Sequence, residues 1–231
     1  MSKDILNKIW KKGWISFLIS AICFLYLLKF SWLKWGDLII DTGRDLYVPL
    51  EILSGRVLYR DMQYFHGPFS PYLNAFLFKI LGVHINTLVF GGIITTVLVS
   101  VLIYKISGLY LNKLFSTFAV LTFLFVFAFG QYLYLGNYNF ILPFAYPATH
   151  SMLFSLAALY FFYRSFFKIN SHKYICSMFT MLVFLCRIEI GLLLVVAIAS
   201  AILIYSLSRG QIFKKTFYQL LIYIALPLIL A

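Results

Sequence analysis

Acidic residues are scarce in this chain: seven Asp and Glu stand against 19 Lys and Arg in 231 residues, and charged residues make up only 11%. Such a composition cannot cover the surface of a soluble globular domain. With 63% hydrophobic residues and a mean hydropathy of +0.93, the chain reads as an integral membrane protein. Regular polar–apolar alternation is missing, which argues against a membrane β-barrel. Cys23, Cys176 and Cys186 are odd in number, lie in apolar segments and lack metal-ligand spacing. They read as small core residues, so no metal site is expected. No repeat, low-complexity tract or interdomain linker is visible.

What is abundant is apolar run. Residues 14–28, 83–104, 114–129, 149–163 and 174–207 are mostly long enough to cross a hydrocarbon core of roughly 30 Å as helices. The net charge of +12 is distributed as membrane topology requires, not as a nucleic-acid face. Lys3, Lys8, Lys11 and Lys12, then Lys105 and Lys113, then Arg164, Lys168 and Lys173, then Arg209, Lys214 and Lys215 cluster at alternate ends of successive spans. The positive-inside pattern predicts a cytoplasmic N-terminus, an uncleaved first span anchored by Lys29, Trp32, Lys34 and Trp35, and an extracytoplasmic first loop. The run 174–207 is too long for one span at about 50 Å. Since Lys173 and Arg209 should both be inside, it predicts two short helices meeting near Arg187 and Glu189 at the outer surface. A seventh span begins after Lys215, and the sequence stops at Ala231 in an apolar run, which reads as the N-terminal part of a longer protein.

The first outer loop, residues 34–72, is a polar island. It holds Asp37, Asp41, Asp45, Glu51 and Asp61, with Arg44, Arg56 and Arg60 interleaved. Asp41 suits a helix N-cap, Leu46, Leu50 and Leu53 recur at helical spacing, and Gly55 suits the residue after the helix. The spacing predicts a helix along the membrane surface, broken or kinked at Pro49. Gly67-Pro68 and Pro71 then lead into a short apolar helix over 72–81, ended by Gly82. Asp41 and Asp45 lie one turn apart and present carboxylates from one face. Solvated loop acids are the alternative reading. For Arg187 and Glu189 the alternative is an ion pair tying two helix ends. His66 reads as a loop hydrogen-bonder. Asn137, Asn139 and His150 could line the same outer cavity, although capping of the fourth span is simpler.

With the acid opening a surface helix, Gly55-Arg56-Val57-Leu58-Tyr59 ending it, and Gly67-Pro68-Phe69 starting a short apolar helix, the sequence resembles the polyprenyl-phosphate-sugar-dependent membrane glycosyltransferases of the C-type superfamily. The likeness is to the branch of protein O-mannosyltransferases and the lipid A aminoarabinose transferase. It implies an all-α, polytopic transmembrane helical bundle, a single domain over residues 1–231 with a catalytic loop at 34–72. It further implies inverting transfer of a sugar from a polyprenyl phosphate to a glycan, lipid or protein hydroxyl on the outer face of a bacterial inner (plasma) membrane. Asp41 would be the general base. Arg44, Asp45, Arg60, His66, Arg187 and Glu189 would bind substrate, with a cation steadying the leaving phosphate. Thr42 stands where many members have a second acid, which weakens a metal-binding pair. Gly67 stands where some have lysine, a contact that Arg187 could take over. No cofactor is implied, a divalent metal is not indicated, and no glycine-rich phosphate loop is needed or present. The alternative is a polytopic transporter or lipid flippase subunit without catalysis, which should carry its polar residues at mid-membrane on broken helices.

Overall fold

The computed structural model describes residues 13–34, 39–130, 139–167, 169, 171–208, 218, 220–225 and 227. Asp37, Asn137, most of the seventh expected span, and the basic residues 3, 8, 11, 12, 168, 209, 214 and 215 lie outside them. The fold is all-α, and among the described residues strand-like pairing is confined to one bridge between Leu58 and Met62. The helices are α1 (Trp14–Ser31), α2 (Asp41–Leu53), α3 (Phe69–Leu81), α4 (Ile85–Ser107), α5 (Lys113–Thr122), α6 (Tyr146–Phe167), α7 (His172–Cys186) and α8 (Ile188–Ser208). By length and composition α1, α4 and α8 can cross a membrane. The chain divides into two compact units, Met1–Tyr47 with Ile80–Ala145, and Val48–Lys79 with Tyr146–Ala231. The boundaries fall inside α2 and α3.

The first unit is built on α1, α4 and α5, the last continued by a π-helical segment, Phe123–Ala128, that the apolar pattern did not reveal. Buried hydroxyls on α4 are satisfied locally. Thr95, Thr96, Ser100 and Ser107 each donate to the carbonyl four residues back, at 2.7 to 2.9 Å, so these four hydroxyls are paired within the helix. Gly92 lets the loop before α6 press on α4, because a Cβ there would stand 2.0 Å from the Ile141 carbonyl oxygen. That loop is held by Asn139, whose side-chain oxygen accepts from the Ile141 and Leu142 N–H groups at 2.8 Å. Asn139 is therefore a turn-former within the loop rather than a helix cap.

The second unit packs α6 along α7 and α8 around Val183, Leu194, Ile198 and Ile202, with Phe154, Phe161 and Phe179 stacked beside them. The joint between α7 and α8 is Arg187 alone. Its extended backbone donates its N–H to the Val183 carbonyl, and its own carbonyl accepts from Gly191. One residue thus ends one helix and begins the next, as the charge argument expected, although α8 at 21 residues is not short. Gly191 makes the sharp corner possible, since a Cβ would meet the Phe184 ring at 2.7 Å.

Three local expectations are corrected. The helix over 41–53 is unbroken at Pro49, where the missing N–H removes one bond and the flanking bonds keep the turn. Asp41 is its first helical residue rather than the cap, since the Ile40 carbonyl accepts from the Arg44 N–H. The next helix starts at Phe69, not Tyr72, because Pro71 lies in the first turn, where no N–H is required.

Candidate functional site

Within α2 two carboxylates share the buried side with Val48. Tyr47, Leu50 and Leu53 are exposed, whereas Asp41 and Asp45 are only 6% and 4% exposed. Asp41 and Asp45 are therefore buried side chains and not solvated loop acids. Asp41, in the first turn, also gains from the unpaired N–H groups of the helix start.

Arg44 serves both carboxylates at a distance, 3.8 Å to Asp41 and 3.4 Å to Asp45. Its short bond, 2.5 Å, goes instead to the backbone carbonyl of Phe144, whose ring also lies under the guanidinium at 5.7 Å. Arg44 therefore lies beside both carboxylates without a close bond to either. Phe144 gave no sign in the sequence; the contact is to its backbone and crosses 100 positions.

The helix ends in a Schellman turn. Gly55, at φ +94°, donates to the Ile52 carbonyl, and Arg56 donates to that of Glu51. In the loop that follows, Arg60 makes two bonds to Asp61, at 2.8 and 2.9 Å, and the Val57 N–H adds one of 2.7 Å. These hold the Asp61 carboxyl at about 2, the Arg60 bond first and the backbone bond second. The Arg60 side chain is 70% exposed and bonded to its sequence neighbour. It is not brought to the other predicted residues.

A second cluster forms in the second unit. Tyr59 donates its hydroxyl to the His66 carbonyl, and the Gly67 N–H donates to the Cys186 carbonyl at 3.0 Å. A Cβ on Gly67 would lie 2.1 Å from the Leu185 oxygen, so the loop and the end of α7 touch backbone to backbone. That contact explains why no lysine stands at this position. It sets His66 within electrostatic reach of Glu189, which is itself ion-paired with Arg187. Glu189 takes two of the five guanidinium donors. Nearby, His150 is buried and shares a 2.9 Å hydrogen bond with the Ser70 hydroxyl, so it braces α6 against α3 rather than capping a helix. Among the described residues no group of three or more His, Cys, Asp or Glu side chains is placed to hold a metal.

These features define an all-helical membrane protein whose predicted site residues, Arg60 apart, gather into two charged groupings, one in each unit. The class is narrowed by the family model for dolichyl-phosphate-mannose-protein mannosyltransferases, which matches residues 65–231. The chain belongs to that family and is a membrane glycosyltransferase. The match includes His66, Arg187 and Glu189 and begins after Asp41, Arg44, Asp45 and Arg60. No curated protein and no solved structure matches the chain.

Proposed function

We propose that the protein transfers a sugar from a polyprenyl phosphate to an acceptor hydroxyl at the extracytoplasmic face of a bacterial inner membrane, with its N-terminus in the cytoplasm. The observation that carries this reading is the family match over residues 65–231. In the step envisaged, the acceptor oxygen attacks the anomeric carbon and gives its proton to Asp41. The bond from that carbon to the phosphate oxygen breaks, the phosphate leaves with the electron pair, and the anomeric centre inverts. The base role of Asp41 is supported by its burial at the start of α2, beside Asp45 and Arg44. A carboxylate locked in a tight ion pair would be a poor proton acceptor.

Arg187 is proposed to steady the departing phosphate, because guanidinium donors beyond the two given to Glu189 suit a phosphate oxygen. His66, beside Glu189, is proposed to contact the same group. Arg44 and Asp45 would hold Asp41 and the sugar hydroxyls. The acceptor is a glycan, a lipid or a protein.

The test compares cells carrying the parent protein with cells carrying Asp41→Asn, by mass profiling of surface glycans, glycolipids and glycoproteins. Loss of one sugar increment with unchanged protein level and accumulation of the lipid-linked donor is the expected result. An identical profile from equally expressed protein would sink the assignment of Asp41.

A further inference from the structure

The second unit buries a chain of polar side chains that the proposed chemistry does not use. His150 in α6, Ser70 in the first turn of α3 and Cys186, the last residue of α7, are 3%, 1% and 0% exposed. The His150 ring shares a 2.9 Å hydrogen bond with the Ser70 hydroxyl through Nδ1, and that hydroxyl donates to the Cys186 sulfur at 3.9 Å. The second link is long, as suits a large and weak acceptor. Residues 80 and 116 positions apart in the sequence are joined in this way.

Cohesion alone does not require such a chain. Exchanging both partners of a buried hydrogen bond for apolar groups of the same shape is nearly neutral, so apolar side chains would hold these helices about as well. What the polar links add is direction. In an interior of low dielectric they select one arrangement among those that apolar packing tolerates. The imidazole is itself held on two sides, with Phe69 edge-on at 6.3 Å and Tyr146 tilted beside it at 5.7 Å.

The far end of the chain lies one residue before the corner. Cys186 is gripped twice from the stretch that opens α3, at its carbonyl by the Gly67 N–H at 3.0 Å and at its sulfur by Ser70. Next comes Arg187, whose N–H closes α7 on the Val183 carbonyl at 2.8 Å and whose carbonyl accepts from Gly191 of α8 at 3.1 Å. One planar peptide joins the two residues, so a rotation of Cys186 re-aims the guanidinium. We propose that His150, acting through Ser70 and Cys186, is a positioning residue that sets the aim of Arg187 and with it the preference for a lipid carrying a phosphate, a role that rests on Arg187 being the phosphate contact of the proposed function.

The test measures binding by the purified full chain in mild detergent, with undecaprenyl phosphate and undecaprenol as separate probes and native mass spectrometry as the readout. The ratio of the two affinities reports the phosphate contact, whereas a general loss of structure weakens both probes together. Arg187→Gln should lower that ratio by about 10- to 100-fold, the usual contribution of a hydrogen bond to a charged group. Ser70→Ala and His150→Phe should each lower it by about three- to tenfold, and neither should lower it further in the Arg187→Gln background. His150→Asn, whose amide nitrogen can stand in for Nδ1, should keep the parental ratio. Thr180→Val is the control, because it removes a buried hydroxyl of α7 that bonds within its own helix at 3.0 Å, and it should leave the ratio unchanged. If His150→Phe does not fold, Ser70→Ala carries the test. A parental ratio in Ser70→Ala and His150→Phe beside a lowered one in Arg187→Gln would overturn the role of His150 alone. So would a full further loss in the double variants. A parental ratio in Arg187→Gln would overturn the phosphate contact itself and the positioning role with it.

Discussion

Two aspartate–arginine groupings lie within twenty residues of each other and behave oppositely. At Arg60 and Asp61 one cation meets one carboxylate in two short bonds at an exposed turn. At Arg44 one cation is shared loosely between two buried carboxylates, while its best bond goes to a neutral carbonyl. The sequence shows the same residue types in both places. Stoichiometry and burial separate them, so a charge-rich loop is not evenly functional. The second grouping alone sets its two carboxylates in a buried place, where a low local dielectric strengthens whatever they touch.

The contrast is most directly broken at its strongest point. Asp41→Asn is expected to lower transfer by about 10²–10⁴-fold, the usual contribution of a positioned base, while the unfolding midpoint in detergent barely moves. A variant that transfers normally would erase the distinction. Gly67→Ala tests the other cluster through its backbone. With a Cβ 2.1 Å from the Leu185 oxygen, the loop must shift, and a large drop in unfolding midpoint or in accumulated protein is expected. Gly55→Ala is the control, since its Cβ meets open space and only the positive φ is strained, at about 1 kcal/mol.

Arg44→Ala should cost about 1–3 kcal/mol by releasing the Phe144 carbonyl and removing a cation from beside two buried carboxylates. Chemical denaturation of the detergent-solubilised protein would read it. Asp61→Asn should leave transfer at the parental level, because the exposed pair is local to its turn. The same pair gives a pH signature. Asp61 is depressed from 3.8 to about 2, so its contribution to the turn is complete above 3.8 and is lost as pH falls through about 2. Hydrogen exchange at the Val57 amide, whose proton Asp61 accepts, should therefore stay protected at pH 4 and open near pH 2. Opening already at pH 5 would contradict the pairing.

Much of the architecture was legible in sequence. The helices over 14–31 and 85–107 follow from apolar run length, and the corner at Arg187 follows from requiring Lys173 and Arg209 on one side. What escaped has a common physical form. The Gly67–Leu185 and Gly92–Ile141 contacts are made by main chain, and Arg44 meets Phe144 through a carbonyl, so no side-chain pattern encodes the partner. The orientation of α2 was also hidden. Leucines at helical spacing announce an amphipathic helix, but not which side the surrounding medium will claim.

The single-residue corner at Arg187 has a mechanical meaning. Two rigid rods joined by one φ and one ψ have almost no slack, so a tilt of α8 cannot be absorbed before it reaches the guanidinium rooted in the joint. Tilt in turn answers to the thickness of the surrounding bilayer. A one-residue joint of this kind would pass a change in the tilt of α8 straight to the backbone that carries the Arg187 charge.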